Sequence, residues 1–219
     1  LEFRRVLFRS SQSASAKPIS LEVFIDFVCP WCYLAHATVQ QLQKQHELSV
    51  TWTPFPLHPD TPAAGMLLSE LFPGANIDAM HERLYSMMDE LGLEHCQRER
   101  LFNTRKAQEL ALWAGSAESE PEAGERCVSA LFRAYFAENR NLAQMQVLLD
   151  LAEQSGLPRA RAQQVLDEGL FSAAVDEAWQ RARQMQITGV PAFIGGGFQF
   201  SGYQPLGEME RFVDFIRSK

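Results

Sequence analysis

Two cysteines three positions apart, Cys29-Pro30-Trp31-Cys32, stand where the strand-like run Leu21–Val28 gives way to a helical pattern. Cysteines at this spacing across a first helical turn lie close enough to close a small disulfide ring. A sulfur at Cys29 sits where free backbone N–H groups and the positive end of the helix dipole stabilise a thiolate. Thiols so placed have pKa values lowered to roughly 3.5–7.5, which makes them nucleophiles near neutrality. Cys32, one turn further in and less exposed, is suited to attack a mixed disulfide formed at Cys29. Other uses of the pair fit less well. A c-type haem site needs histidine directly after the second cysteine, and residue 33 is tyrosine. A zinc site needs further ligands at matching spacing, and Cys96 and Cys127 stand alone. His36 as a third ligand would lie about two turns from Cys29. Two inert core cysteines remain the plain alternative.

A second feature is Thr188-Gly189-Val190-Pro191-Ala192-Phe193. Proline is tolerated at the first residue of a strand or on an edge, and X-Pro bonds are the ones that adopt the cis form. Asp26 precedes Cys29 by three residues, and capping of the following turn is its preferred reading. His58, between Leu57 and Pro59, reads first as a solvated loop histidine and second as a substrate contact. His36 reads as a surface residue or a satisfied polar contact. Trp31 and Tyr33 offer an apolar contact surface beside Cys29, and Trp52, Trp113 and Trp179 read as core. Cys96 and Cys127 read as free thiols. Gly195–Gly197 is not a phosphate loop, since it opens no helix.

The elements that must position these groups follow from periodicity. Leu21–Val28, the helix Trp31–His46 and Leu48–Phe55 form a β-α-β unit of crossover size. Beyond Asp60 strand patterns disappear. Helical stretches follow at Ile77–Leu91, Thr104–Trp113, Ala123–Glu138, Leu142–Gln154 and Arg159–Leu166, up to about Phe171. Strand signals return after the amphipathic helix Ala173–Gln186, with Val190–Ile194 and Phe198–Ser201 joined across Gly195–Gly197 as a hairpin. Leu206, Met209, Phe212, Val213 and Ile216 mark a last helix. The expected organisation is α/β: residues 18–59 and 172–219 form one unit (β-α-β … α-β-β-α), with an all-helical insertion at 60–171. The methionines cluster mainly in the insertion, where they suit either an adaptable surface or an irregular core.

The 219 residues match one domain with a sizeable insertion, and 46 % hydrophobic residues supply a core. A formal charge of −7 offers no field for nucleic acid. No stretch approaches the roughly 18 apolar residues of a membrane-spanning helix. Leu1–Ser10 (LEFRRVLFRS) lacks the layout of a secretory signal, and Glu2–Ser10 reads as a translated sequencing adaptor. Residues 1–17 are therefore expected to be a non-native or disordered leader, ahead of which a signal peptide could have been lost.

The segments FIDFVCPWCYLA (24–35), FPLHPDTPAAG (55–65), NTRKAQELALWA (103–114), GLP (156–158), TGVPAFI (188–194) and SGYQP (201–205) resemble, in order, those of the DsbA superfamily of thioredoxin-fold oxidoreductases, and most nearly its cytosolic FrnE-like members. The resemblance implies Cys29 as attacking and Cys32 as resolving cysteine. It implies Pro191 as a cis-proline facing the site, Val190 as the residue offering its backbone to substrate, and a helical cap over the active-site face. Asp26 belongs to the family's D-F-x-C-P-W-C pattern, so proton transfer is an auxiliary role for it, as substrate contact is for His58. Thiols or disulfides of proteins or small molecules are the implied partners, with no nucleic acid and no membrane. The cysteine pair itself is the redox group, so no metal or organic cofactor is implied, although glutathione could serve as co-substrate. The implied compartment is the cytoplasm, the periplasm being the alternative. Two other functions fit the fold: a glutathione-dependent isomerase or transferase, whose families typically carry serine at the position of Cys29, and a non-catalytic holdase that grips apolar chain segments.

Overall fold

The computed structural model describes residues 18–116, 118–120 and 122–218. The expected leader, residues 1–17, lies outside them. The chain opens with β1 (Ile19–Ile25), α1 (Pro30–Gln45) and β2 (Leu48–Pro54). It closes with α8 (Ser172–Gln184), β5 (Ala192–Gly195), β6 (Phe198–Ser201) and α9 (Leu206–Arg217). These strands form one sheet in the order β2-β1-β5-β6. β1 and β2 are parallel, joined through α1, whereas β5 runs antiparallel to β1 and β6 antiparallel to β5.

Both faces of the sheet are covered, which is why β1 reads as an almost unbroken apolar run. Leu21, Val23 and Ile25 point into the main core with α1 and α9, while Phe24 joins Phe55, Ala182, Ile187 and Ala192 on the α8 side. The β5–β6 connection turns through Gly196 and Gly197, at φ +57° and +83°, the left-handed pair that a two-residue hairpin requires.

Between β2 and α8 lie β3 (Met66–Leu67), α2 (Leu68–Leu71), α3 (Ile77–Glu90), β4 (Arg100–Leu101), α4 (Arg105–Ala114), α5 (Ala123–Phe136), α6 (Met145–Gln154) and α7 (Arg159–Asp167). The two-residue ladder of β3 with β4 is too short to leave an alternation in the sequence, so the region reads as purely helical. Its α5 packs on α1 and its α4 on α8 and β2. As a result Cys32 through Val39 are buried on every side of α1 rather than along one stripe.

Local hydrogen bonding moves several boundaries. β1 ends at Ile25 rather than Val28 because Asp26 accepts the Val28 N–H on its side chain and the Cys29 N–H on its carbonyl. α6 starts at Met145 rather than Leu142 because Asn141 accepts the Ala143 N–H on its side chain and the Gln144 N–H on its carbonyl, which holds a turn there. β5 begins after Pro191, which has no N–H to give to a ladder and whose carbonyl takes the Gly202 N–H instead.

Candidate active site

Pro30 begins α1 at the position where its missing N–H costs nothing, and Cys29 is the N-cap residue in extended conformation. The Cys29 carbonyl accepts the N–H groups of Cys32 and Tyr33, at 3.0 and 3.2 Å. The Cys29 side chain makes no capping hydrogen bond of its own. The attacking position predicted from the spacing is therefore at the positive end of a sixteen-residue helix.

Cys29 shows only 3 % of its surface. It lines a cavity of about 800 Å³ together with Val28, Pro30, Trp31, Leu57, His58, Gly189 and Val190. Its Sγ–H points at the Val190 carbonyl, 3.5 Å away. The Val190–Pro191 peptide is cis, and Pro191 is buried beside it. Residues more than 150 positions apart are thus brought to one point because β5 pairs with β1.

Cys32 is fully buried beneath Cys29. Burial pushes its thiol well up, reinforced by the hydrogen bond and charge of Cys29. Asp26 lies close enough to raise it further through its own charge, while the Asp26 backbone acts in the opposite direction. Both cysteines are thiols here, as are Cys96 and Cys127. Burial lifts the Cys127 thiol to about 12, and that of Cys96 also lies above its usual value.

Asp26 does more than cap a turn. Its Oδ1 accepts from the Val28 N–H at 3.2 Å and the Thr104 hydroxyl at 3.0 Å, and its Oδ2 from the Leu57 N–H at 3.1 Å and Gln108 Nε2 at 3.3 Å. Burial nevertheless dominates and lifts its pKa to about 6. Gln108 also donates to the Phe55 carbonyl and accepts from Trp179 Nε1, so α4 and α8 together hold the amide that holds the acid.

Trp31 is 38 % exposed and stacks on Tyr203, at 6.5 Å between rings. Tyr33, expected beside it as contact surface, is buried instead. It stacks on Phe136 and donates its hydroxyl to the Glu94 carbonyl, because the insertion covers that face of α1. His58 is half-buried in the cavity wall rather than solvated, and burial lowers its pKa. His36 is a buried polar contact and not a surface residue: it pairs with Glu125 Oε1 at 3.0 Å and meets the Ser129 hydroxyl. Among the described residues no group of three or more His, Cys, Asp or Glu could hold a metal ion. Of the three tryptophans assigned to the core, Trp113 is fully buried. Trp52 and Trp179 are half-buried, each giving its N–H to a polar partner on the helical region, Glu125 and Gln108.

Residues that the motifs did not single out complete the site. Thr104 and Gln108 lie in the matched segment 103–114, yet only the folded chain shows them reaching Asp26. His81, Arg98 and Tyr135 enter the cavity wall from the helical region without any sequence signal.

Comparison with known proteins agrees with this architecture. The chain is 24 % identical over 188 residues to the uncharacterized protein YwbO of Bacillus subtilis, spanning 81 % of this chain and 87 % of that one. A probable DsbA oxidoreductase of Streptomyces coelicolor superposes with a TM-score of 0.83 at 21 % identity, over 92 % of this chain and 91 % of that one. A 2-hydroxychromene-2-carboxylate isomerase superposes at 0.71 with 16 % identity, over 90 % and 96 %. The model of the DsbA-like thioredoxin domain matches residues 20–214. With nearly its whole described length inside that match, the chain belongs to the DsbA-like thioredoxin domain family.

Proposed function

We propose that this protein is a thiol–disulfide oxidoreductase working through Cys29 and Cys32. The observation that carries the reading is the place of Cys29: N-cap of α1, in the wall of an apolar cavity, with its sulfur 3.5 Å from the Val190 carbonyl. In the reducing direction the Cys29 thiolate attacks one sulfur of a substrate disulfide. A mixed disulfide forms and the other substrate sulfur leaves as thiolate. Cys32 then attacks Cys29, the Cys29–substrate bond breaks, and the protein pair is left oxidised by two electrons while the substrate gains them.

Cys32 must lose a proton to attack, and burial opposes its ionisation. Asp26, itself held near the middle of the pH scale, is the group placed to take that proton. Val190 and Trp31 flank the sulfur and supply backbone and apolar contact for the incoming chain or molecule. Cys29 stands at the N-terminal end of the α1 dipole, and the pair is the redox group.

Single substitutions test the reading. Cys29→Ser is expected to abolish exchange with a small disulfide, and Cys32→Ser to accumulate a mixed disulfide visible by mass spectrometry. Equal exchange by wild type and Cys29→Ser would remove the proposal. Titration of the pair against glutathione gives the direction of flow, since a poise near −120 mV marks an oxidant of the DsbA kind and one near −270 mV a reductant of the thioredoxin kind, both being approximate reference values.

The fold shared with a carboxylate isomerase supports one other reading, glutathione-dependent isomerisation or transfer. It predicts turnover that survives Cys32→Ser, whereas disulfide exchange predicts arrest at the mixed disulfide.

A further inference from the structure

The cavity that Cys29 and Val190 line is walled elsewhere by the helical region, with Leu68, Leu84 and Tyr135 supplying apolar surface. Into this wall the fold places two buried polar side chains, His81 from α3 and Arg98 from the segment ahead of β4, each 4 % exposed, whereas Arg83 of α3, which also lines it, is exposed. The guanidinium carbon of Arg98 lies 4.9 Å from the Tyr135 ring centre and 4.4 Å from that of Phe136. Stacking of this kind uses the faces of the guanidinium and leaves its N–H edge for hydrogen bonds, some of which go to the side chains of Tyr85 and Tyr135. Arg98 Nε and His81 Nε2 are both buried and hydrogen-bonded to nothing among the described residues. A buried N–H left without an acceptor is costly unless something brings one, and a guanidinium, always charged, cannot shed it.

We propose that His81 and Arg98 form an anion subsite for the carboxylate of an apolar-bodied small molecule, and that disulfides of such acids are substrates of Cys29. The second half rests on the disulfide reading given above, and the first does not. A carboxylate accepts from Arg98 Nε–H and from the His81 ring N–H, which satisfies both orphaned atoms at once. The cavity has the roughly 300–1000 Å³ of sites that enclose a small organic molecule, and its walls are otherwise largely apolar. The chain carries a net charge of −7, so its overall field repels an anion and the attraction must be local. The sulfur chemistry is balanced without an added reagent: one reduced protein plus one disulfide gives one oxidised protein and two thiols.

The test compares dithiodibenzoate with its uncharged bis-amide as single-turnover oxidants of the reduced protein. Wild type is expected to react with the acid about tenfold faster or more, the factor that one charge-assisted contact confers. Arg98→Met, which keeps the stacking and removes the donors, is expected to slow the acid and leave the amide unchanged. Equal rates for acid and amide in wild type overturn the subsite while leaving the disulfide reading intact. In the Cys29→Ser, Cys32→Ser double variant, phenylpropanoate, which has no sulfur, is expected to bind by calorimetry and to lose that binding with Arg98→Met. Absence of binding overturns the subsite, and binding combined with no exchange by the reduced wild type overturns the substrate assignment. Should Arg98→Met lose its native circular dichroism, His81→Phe must by itself lower the acid-to-amide ratio, and an unchanged ratio sinks the proposal.

Discussion

At the scale of single residues, the decisive contrast is between two neighbouring sulfurs and one carboxylate. Cys29 and Cys32 differ by one helical turn, yet one borders a cavity and the other is sealed beneath it. Asp26, between strand and helix, carries the cost of its burial. Its pKa rises from 3.8 to about 6 in the fold. Because the folded value lies above the unfolded one, its contribution to stability is fully present below about pH 4 and is lost as pH rises through about 6. Asp26→Asn carries no such loss. The stability of the variant relative to wild type is therefore expected to improve by about 2 kcal/mol between pH 4 and pH 8, whatever constant penalty the altered hydrogen bonds impose. Urea unfolding at both pH values measures it, and a pH-independent difference would contradict the buried-acid account. The same variant is expected to slow resolution of the mixed disulfide above pH 6, where wild-type Asp26 is ionised.

Among elements, the tie between the sheet and the helical region runs through α5. Glu125 on that helix accepts from His36 and Gln40 of α1 and from Trp52 Nε1 of β2, at 3.0, 3.2 and 2.7 Å. Burial works to raise its pKa, but hydrogen bonds from His36, Trp52 and Gln40 bring it below the usual carboxylate value. Glu125→Ala leaves Trp52 Nε1 without an acceptor and His36 and Gln40 with Ser129 alone, and is expected to cost about 1–3 kcal/mol, read from denaturant midpoints. A loss below 0.5 kcal/mol, the level of an ordinary surface change, would mean that the network carries no such load. One residue earlier, a Cβ on Gly124 would stand 2.9 Å from the Gly115 Cα, backbone meeting backbone where α5 begins. Gly124 is thus fixed by close approach, with no flexible side chain available to yield. The final helix is placed similarly, since Ile216 of α9 packs directly on Gly195 and Gly196.

For the whole molecule, the helical region completes the core instead of sitting on top of it. One continuous cluster joins Leu21, Val23 and Cys32 to Trp113, Phe132, Tyr135 and Leu148. Thr104 and Gln108 reach Asp26, and His81 and Arg98 wall the cavity of Cys29. Unfolding is expected to be a single cooperative event, with tryptophan fluorescence, which includes Trp113 in the helical region and Trp52 and Trp179 outside it, coinciding with far-ultraviolet circular dichroism. Two separated transitions would show the helical region to be an independent unit.

Much of this was readable in the linear chain. The cysteine spacing after an apolar run, the proline opening α1, the glycine-led hairpin and the helical periods are local signals, set by dihedral preference and by the side on which apolar residues recur. Those signals determined the α/β element order and the place of Cys29 at a helix start, while the thioredoxin-like class came from the resemblance of the ordered motifs to a known family. Proximity between residues distant in sequence has no local signature, and it decided the rest. Only the folded chain brought the Val190 carbonyl to a sulfur 161 positions earlier, gave Asp26 four hydrogen-bond donors and a raised pKa, buried Tyr33 and His36, and set the Nε of Arg98 without an acceptor in the wall of the cavity. Burial and pairing are properties of what packs around a group, and a sequence specifies that only through the complete fold.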